Sequence, residues 1–158
     1  MTAKRIEAVL RPASVAVVGA SDTPGSIGEV LCRNLREGGF RGPVFYVNPL
    51  HATIGDELSY PDVRSLPQTV DVAIVATPPP TLPTVLEHCG ERGVRGAIIV
   101  SAGFREGGEA GAAWERSMLQ VARRYGLRLL GPNSFGVIRT DNGFNASCGA
   151  ALPKPGRL

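Results

Sequence analysis

The sequence predicts an α/β domain with a doubly wound parallel sheet, on three observations. Five short apolar runs rich in β-branched residues recur along the chain. Segments with helical periodicity stand between most of them, as βαβ crossovers require. The runs are apolar almost throughout rather than alternating, the mark of strands covered on both faces.

SVAVVGA (14–20) is the first strand, and a Gly-rich loop follows it. IGEVLCRNLREGG (27–39) puts Ile27, Val30, Leu31 and Leu35 on one helical face and stops at Gly38 and Gly39. Ser26 and Glu29 have the S-x-x-E spacing of a capping box, which fixes where that helix begins. PVFYVNP (43–49) is the second strand, and a loop carries the chain to DVAIVAT (71–77). A helix over TLPTVLEHCGERG (81–93) leads to GAIIVSAG (96–103), and a helix over roughly 109–125 leads to LRLLGPN (127–133). From Val137 onward turn residues dominate with little periodicity, and Pro153-Lys154-Pro155-Gly156 reads as a linker. Residues 1–150 are therefore expected to form one domain, with 151–158 opening a linker to a further domain.

Composition narrows the function. With 43% hydrophobic and 20% charged residues the chain buries a core and is not disordered. Its 20 Gly and 13 Pro exceed average usage yet stay short of low complexity. No apolar run is long enough to span a membrane, and the N-terminus lacks the apolar stretch of a signal peptide. Net charge is +3, but no stretch interleaves cations with aromatics as a nucleic-acid groove does. Cys32, Cys89 and Cys148 lie too far apart for a CxxC clip and read as reduced, buried thiols of a cytoplasmic protein.

In open parallel sheets ligands bind beyond the carboxyl ends of the strands. Those ends are Gly19-Ala20-Ser21-Asp22, Asn48-Pro49, Thr77-Pro78-Pro79-Pro80, Ser101-Ala102-Gly103-Phe104 and Gly131-Pro132-Asn133-Ser134. They carry glycine, proline and small polar residues with one charge among them, which suits an extended ligand held by backbone groups rather than acid–base machinery. In the first loop Gly19, Gly25 and Gly28, with Ser21 and Ser26, lead into a helix start, a ready phosphate site. The spacing is not the G-x-G-x-x-G of dinucleotide dehydrogenases, and the same glycines also serve a plain tight turn. Nicotinamide enzymes place a carboxylate near the second strand end for the ribose diol, whereas this chain has Asn48 and then Pro49. Arg41 and His51 lie nearby in sequence as partners for a ribose phosphate.

No catalytic residue and no metal-ligand set emerges. His88 and Cys89 adjoin on one helix, where neighbours point about 100° apart and make a poor dyad. No Ser-His-Asp order, HExxH or carboxylate pair is present.

Taken in order, RPASVAVVGASDTPGSIG, GFRGPVFYVNP, LPQTVDVAIVATPP, GVRGAIIVSAGFREGG and LLGPNSFGVI resemble the N-terminal CoA-binding domain of ADP-forming acyl-CoA synthetases. That domain is similar to the one opening the succinyl-CoA synthetase α subunit, and it also opens acetyltransferases carrying a GNAT domain. The resemblance covers roughly residues 10–156 and implies a Rossmann-like fold with CoA or acyl-CoA as ligand. On it, the Gly19–Gly28 loop with Ser21, Gly25 and Ser26 holds the pyrophosphate, and Asn48 and Pro49 border the adenosine. Thr77, Pro78, Pro79, Ser101, Ala102 and Gly103 line the pantetheine channel, and Asn133 lies near the thiol end. The family often has a cation directly after its Asn-Pro for the 3′-phosphate; here Leu50 stands there, leaving His51 or Arg41 as substitutes. The family's phosphorylated histidine and ATP-grasp domain lie in downstream domains or a second subunit. The chain by itself is therefore expected to bind CoA without catalysing acyl-CoA synthesis. A free-standing CoA-binding regulator and an NAD(P)-binding oxidoreductase or redox sensor are the rival readings.

Overall fold

The computed structural model describes residues 3–156. The chain runs α1 (Ala3–Leu10), β1 (Val15–Val18), α2 (Ile27–Glu37), β2 (Val44–Val47), β3 (Thr53–Ile54), β4 (Glu57–Tyr60), β5 (Val72–Val75), α3 (Leu82–Glu91), β6 (Gly96–Ile99), α4 (Gly108–Tyr125), β7 (Arg128–Leu130), β8 (Gly136–Arg139) and β9 (Phe144–Ser147). Seven strands form one sheet in the order β3-β4-β2-β1-β5-β6-β7, all parallel except β3. The order reverses at β1, which pairs with β2 on one side and β5 on the other. This is the doubly wound arrangement with its switch point between β1 and β5.

The apolar runs are strands because both of their faces are covered. Ala16, Val18, Ala73, Val75, Ala97 and Ile99 face one core with Leu82 and Leu86 of α3 and Met118 of α4. Val15, Val17, Val72, Ile74 and Ile98 face the other core with Val9 of α1, Leu31 and Leu35 of α2, and Phe144 of β9. The three expected helices form within two residues of their expected ends.

Three segments depart from expectation. Residues 50–70, expected as a loop, hold β3 and β4, which turn at Gly55 (φ +59°) and place β4 parallel to β2. Glu57 and Leu58 are exposed, so this strand lacks the apolar run that marked its neighbours. Residues 136–147, expected to be irregular, make an antiparallel hairpin whose Val137, Phe144 and Ala146 pack into the second core. Its turn, Asp141-Asn142-Gly143, is a hairpin signal in plain view in the sequence. Helix α1, unanticipated, buries Val9 against the same face.

Candidate functional site

β1 stops at Val18 because Gly19 turns the chain with φ +87°, a conformation that favours glycine. A Cβ at Gly19 would sit 3.0 Å from the Ala76 carbonyl oxygen and 3.0 Å from Thr77 Cγ2, so this loop lies hard against the end of β5. Ser21 Oγ accepts from Thr23 N at 3.0 Å, and Ser26 N donates to the Thr23 carbonyl at 3.1 Å, folding the loop back to the helix start. Ser26 caps α2, its Oγ accepting from Glu29 N at 3.2 Å. The capping box is only half formed, since Glu29 pairs with Arg33 at 3.2 Å and Ser26 N goes to Thr23. Val30 N is taken by the Ser26 carbonyl at 3.0 Å. The N–H groups of Ile27 and Gly28 are left without a partner among the described residues. They are two free donors at the positive end of an 11-residue helix.

The two loop glycines have separate jobs. Gly25 has φ +78° with open space around it, so it supplies a turn. Gly28 is buried and lets α2 press on β1: a Cβ there would meet the Gly19 carbonyl oxygen at 2.2 Å.

The other strand ends join this loop in a continuous rim. Asn48 Nδ2 donates to the Ala20 carbonyl at 2.8 Å, tying the end of β2 to the first loop. Pro49 and Leu50 follow it and are exposed, Leu50 at 85%. After β5, Thr77 accepts from Thr81 Oγ1 at 2.8 Å while Pro78, Pro79 and Pro80 lead into α3. Gly103 (φ +98°) follows β6 and lies against Pro79, whose Cγ is 3.2 Å from where a Cβ would be. Ser101, buried, accepts Asn133 N on its carbonyl at 2.9 Å, and Ser134 N donates to the Ile99 carbonyl at 3.1 Å, joining the end of β7. The five ends thus follow one another across β2, β1, β5, β6 and β7, four inter-strand steps or about 19 Å at the usual sheet spacing.

Charge along the rim is sparse. Asp22 Oδ2 reaches Gly55 N at 3.4 Å. Glu106 accepts from Gly103 N at 2.7 Å, and backbone N–H groups, its own and that of Gly103 first, hold its carboxyl below the usual range. Sequence reading missed this carboxylate, which lies beyond the four-residue motif at that strand end. It also missed Phe135, 62% exposed beside the end of β7.

Arg41 is not at the rim. It precedes β2 and lines a cleft of about 590 Å³ with Pro12, Gly38, Gly39 and Asp141, at the amino ends of the strands. Strand β2 separates it from Asn48, which removes it as a phosphate partner there. His51 is exposed just past Leu50. His88 lies in the last turn of α3 and Cys89 is buried beneath that helix, where loss of solvation pushes its thiol up to about 12. A neutral thiol of this kind is no nucleophile. No group of three His, Cys, Asp or Glu side chains that could hold a metal ion occurs among the described residues.

A family model described as a CoA binding domain matches residues 13–140. The ADP-forming acetate–CoA ligase II of Archaeoglobus fulgidus is 45% identical over 136 residues, covering 86% of this chain and 20% of that protein. The alpha subunit of ADP-forming acetate–CoA ligase I of Pyrococcus furiosus is 42% identical over 157 residues, covering 97% of this chain and 34% of that subunit. The solved acetyl-coenzyme A synthetase 1 of Candidatus Korarchaeum cryptofilum, in complex with phosphate and ADP, matches with a TM-score of 0.85 at 37% identity, over 91% of this chain and 31% of that one. The chain therefore spans from a fifth to about a third of the length of these relatives.

Proposed function

The chain belongs to the CoA-binding domain family, and from that premise we propose that the rim at the carboxyl edge holds CoA or acyl-CoA lengthwise. The observation that carries this reading is the continuous line of strand ends with two free helix N–H groups near its middle. The pyrophosphate lies on the Gly19–Gly28 loop, accepting from Ile27 N and Gly28 N with Ser21 and Ser26 beside it. The adenosine lies past Asn48 against Pro49 and the exposed Leu50, with the His51 imidazole the nearest basic side chain along the chain for the 3′-phosphate. The pantetheine arm runs over Thr77, Pro78 and Pro79, then Ser101, Ala102 and Gly103. The thiol ends near Asn133, where Phe135 adds apolar surface for an acyl group.

In this reading the domain, residues 1–150, binds and orients the thioester ligand. Nucleotide chemistry belongs to further domains or a partner subunit reached through a linker that begins at 151–158. The parent activity is an ADP-forming acid–thiol ligase, in keeping with the named activities of its relatives. Three free cysteines, two of them buried, fit a reducing cytoplasm, and no helix of the described residues is long and apolar enough to cross a membrane. An NAD reading is disfavoured because the Asn48 amide, standing where a diol-binding carboxylate would be, is already engaged.

Titration calorimetry tests the ligand. CoA should bind at least about ten times more tightly than NAD, a difference of about 1.4 kcal/mol. Equal or tighter binding of NAD would sink the proposal.

A further inference from the structure

The geometry points to Asn48 as a positioning residue for the phosphate loop rather than a contact to the adenosine, an inference that rests on the CoA reading above. Three polar groups of Asn48, its backbone N–H and both side-chain heteroatoms, are engaged with backbone. Its N–H donates to the Tyr60 carbonyl at 2.9 Å, its Oδ1 accepts from Leu50 N at 2.9 Å, and its Nδ2 donates to the Ala20 carbonyl at 2.8 Å. The side-chain oxygen closes an Asx turn that carries the chain through Pro49. The side-chain nitrogen reaches across to a loop 28 residues away in sequence.

The bond to Ala20 matters because of what the same peptide unit presents on its other side. Ala20 N is already held by the Val47 carbonyl at 3.3 Å, and Gly19 N by that carbonyl at 2.9 Å. With its carbonyl also held by Asn48, Ala20 is fixed at both ends against β2. A trans peptide is planar, so drawing the Ala20 carbonyl toward β2 turns the Ser21 N–H to the opposite side. There Ser21 N abuts the start of α2: a Cβ on Gly28 would lie 3.0 Å from it. Asn48 thereby turns the Ser21 N–H toward α2, where it hydrogen-bonds the Cys32 thiol, and so seats the loop backbone beside the free donors of Ile27 and Gly28, where the phosphates are assigned. An aspartate at this position would keep the Leu50 bond but turn a carboxylate oxygen on the Ala20 carbonyl. The amide is thus required by the loop as well as unsuited to a ribose diol.

The test separates a strut from an adenosine contact by using a ligand without adenosine. CoA and 4′-phosphopantetheine, which keeps one phosphate and the pantetheine arm, are titrated into the wild-type chain, N48A and N48S. Serine can still close the turn to Leu50 N through its hydroxyl but is too short to reach Ala20, so N48S keeps the corner folded while removing the strut. The expected result is a loss of about tenfold for both ligands in both variants, the scale of one hydrogen bond. Amide exchange at Ala20–Ser26 should also quicken in the unliganded variants. A loss confined to CoA assigns Asn48 to the adenosine and overturns the inference. A lowered Tm with both affinities unchanged also overturns it, leaving a residue important for stability alone. A wild-type chain that binds neither ligand overturns the CoA reading, and this inference with it.

Discussion

Gly25 and Gly28 stand three residues apart, look interchangeable in the sequence, and differ in the structure. Gly25 is a backbone solution: its φ of +78° strains any L side chain, but nothing lies within 4 Å of where a Cβ would be. Gly28 is a packing solution with ordinary helical backbone and the Gly19 carbonyl 2.2 Å from the missing Cβ. Gly25→Ala should therefore cost about 1–2 kcal/mol of left-handed strain, with a modest effect on CoA. Gly28→Val should cost about 1–3 kcal/mol of overpacking. It should also weaken CoA more than about tenfold, because the helix start and its free donors must retreat from β1. Denaturant titration and calorimetry on the two variants check both parts. A folded Gly28→Val chain that binds CoA like the wild type would show the loop to be structural only. The spacing of these glycines could be read from sequence, but which provides the turn and which the close approach could not, because that depends on where the Gly19 carbonyl lands.

Helix α2 links the candidate site to the last part of the domain. Its first turn faces the rim, while two turns on Asn34, buried, donates from Nδ2 to the Ser147 and Gly149 carbonyls at 2.8 Å each. Asn34 thus clamps the exit of the β8–β9 hairpin, and Phe40 against Phe144 (centroids 5.5 Å apart) closes the same junction. Asn34→Ala should lower stability by about 1–3 kcal/mol, since it strands two carbonyls at a buried contact. Amide exchange should quicken at 144–147 while β1 and β5 remain protected. Uniform exchange across the sheet and hairpin would show that the clamp is not local. Elements like the hairpin were hard to read from sequence for a definite reason. Strands β1, β5 and β6 are buried on both faces and announce themselves as apolar runs. The hairpin and the β3–β4 pair expose residues such as Ile138, Glu57 and Leu58, so their strands fade into turn-rich sequence. The buried Asn34, on a helix face otherwise read by its apolar spacing, gave no sign of what it would hold.

At the scale of the whole molecule, the sheet separates two cores, and each holds a cysteine whose sequence reading as a reduced buried thiol has a measurable consequence. Cys32 lies in the core beneath α2 and Cys89 in the core beneath α3. Loss of solvation pushes the first up to about 11 and the second up to about 12, against about 8.5 for a free thiol. The strand order that creates these two cores had no direct sequence signal, because the apolar runs show that strands are covered but not which strands adjoin. An acid whose folded pKa is raised holds its proton more tightly folded than unfolded. Its contribution to stability is complete below the unfolded value and disappears as pH rises through the folded one. Stability should therefore hold level between pH 7 and 8 and fall steadily from about pH 9 toward pH 11. Tyr46, also raised by burial, adds to the fall at the upper end. Cys148 is the contrast: it is half-buried at the hairpin exit, and its thiol is raised without being enclosed. In the folded chain at pH 8 a disulfide reagent should modify Cys148 first and reach Cys32 and Cys89 only at the rate of unfolding. Replacing both buried cysteines by alanine should flatten the fall between pH 9 and 10, whatever the cavities cost in absolute stability. Denaturation midpoints from pH 7 to 11 and mass-resolved labelling measure the two effects separately. If Cys89 were labelled as fast as Cys148 in folded protein, the core beneath α3 would be open to solvent and the two-sided burial of the sheet would be wrong.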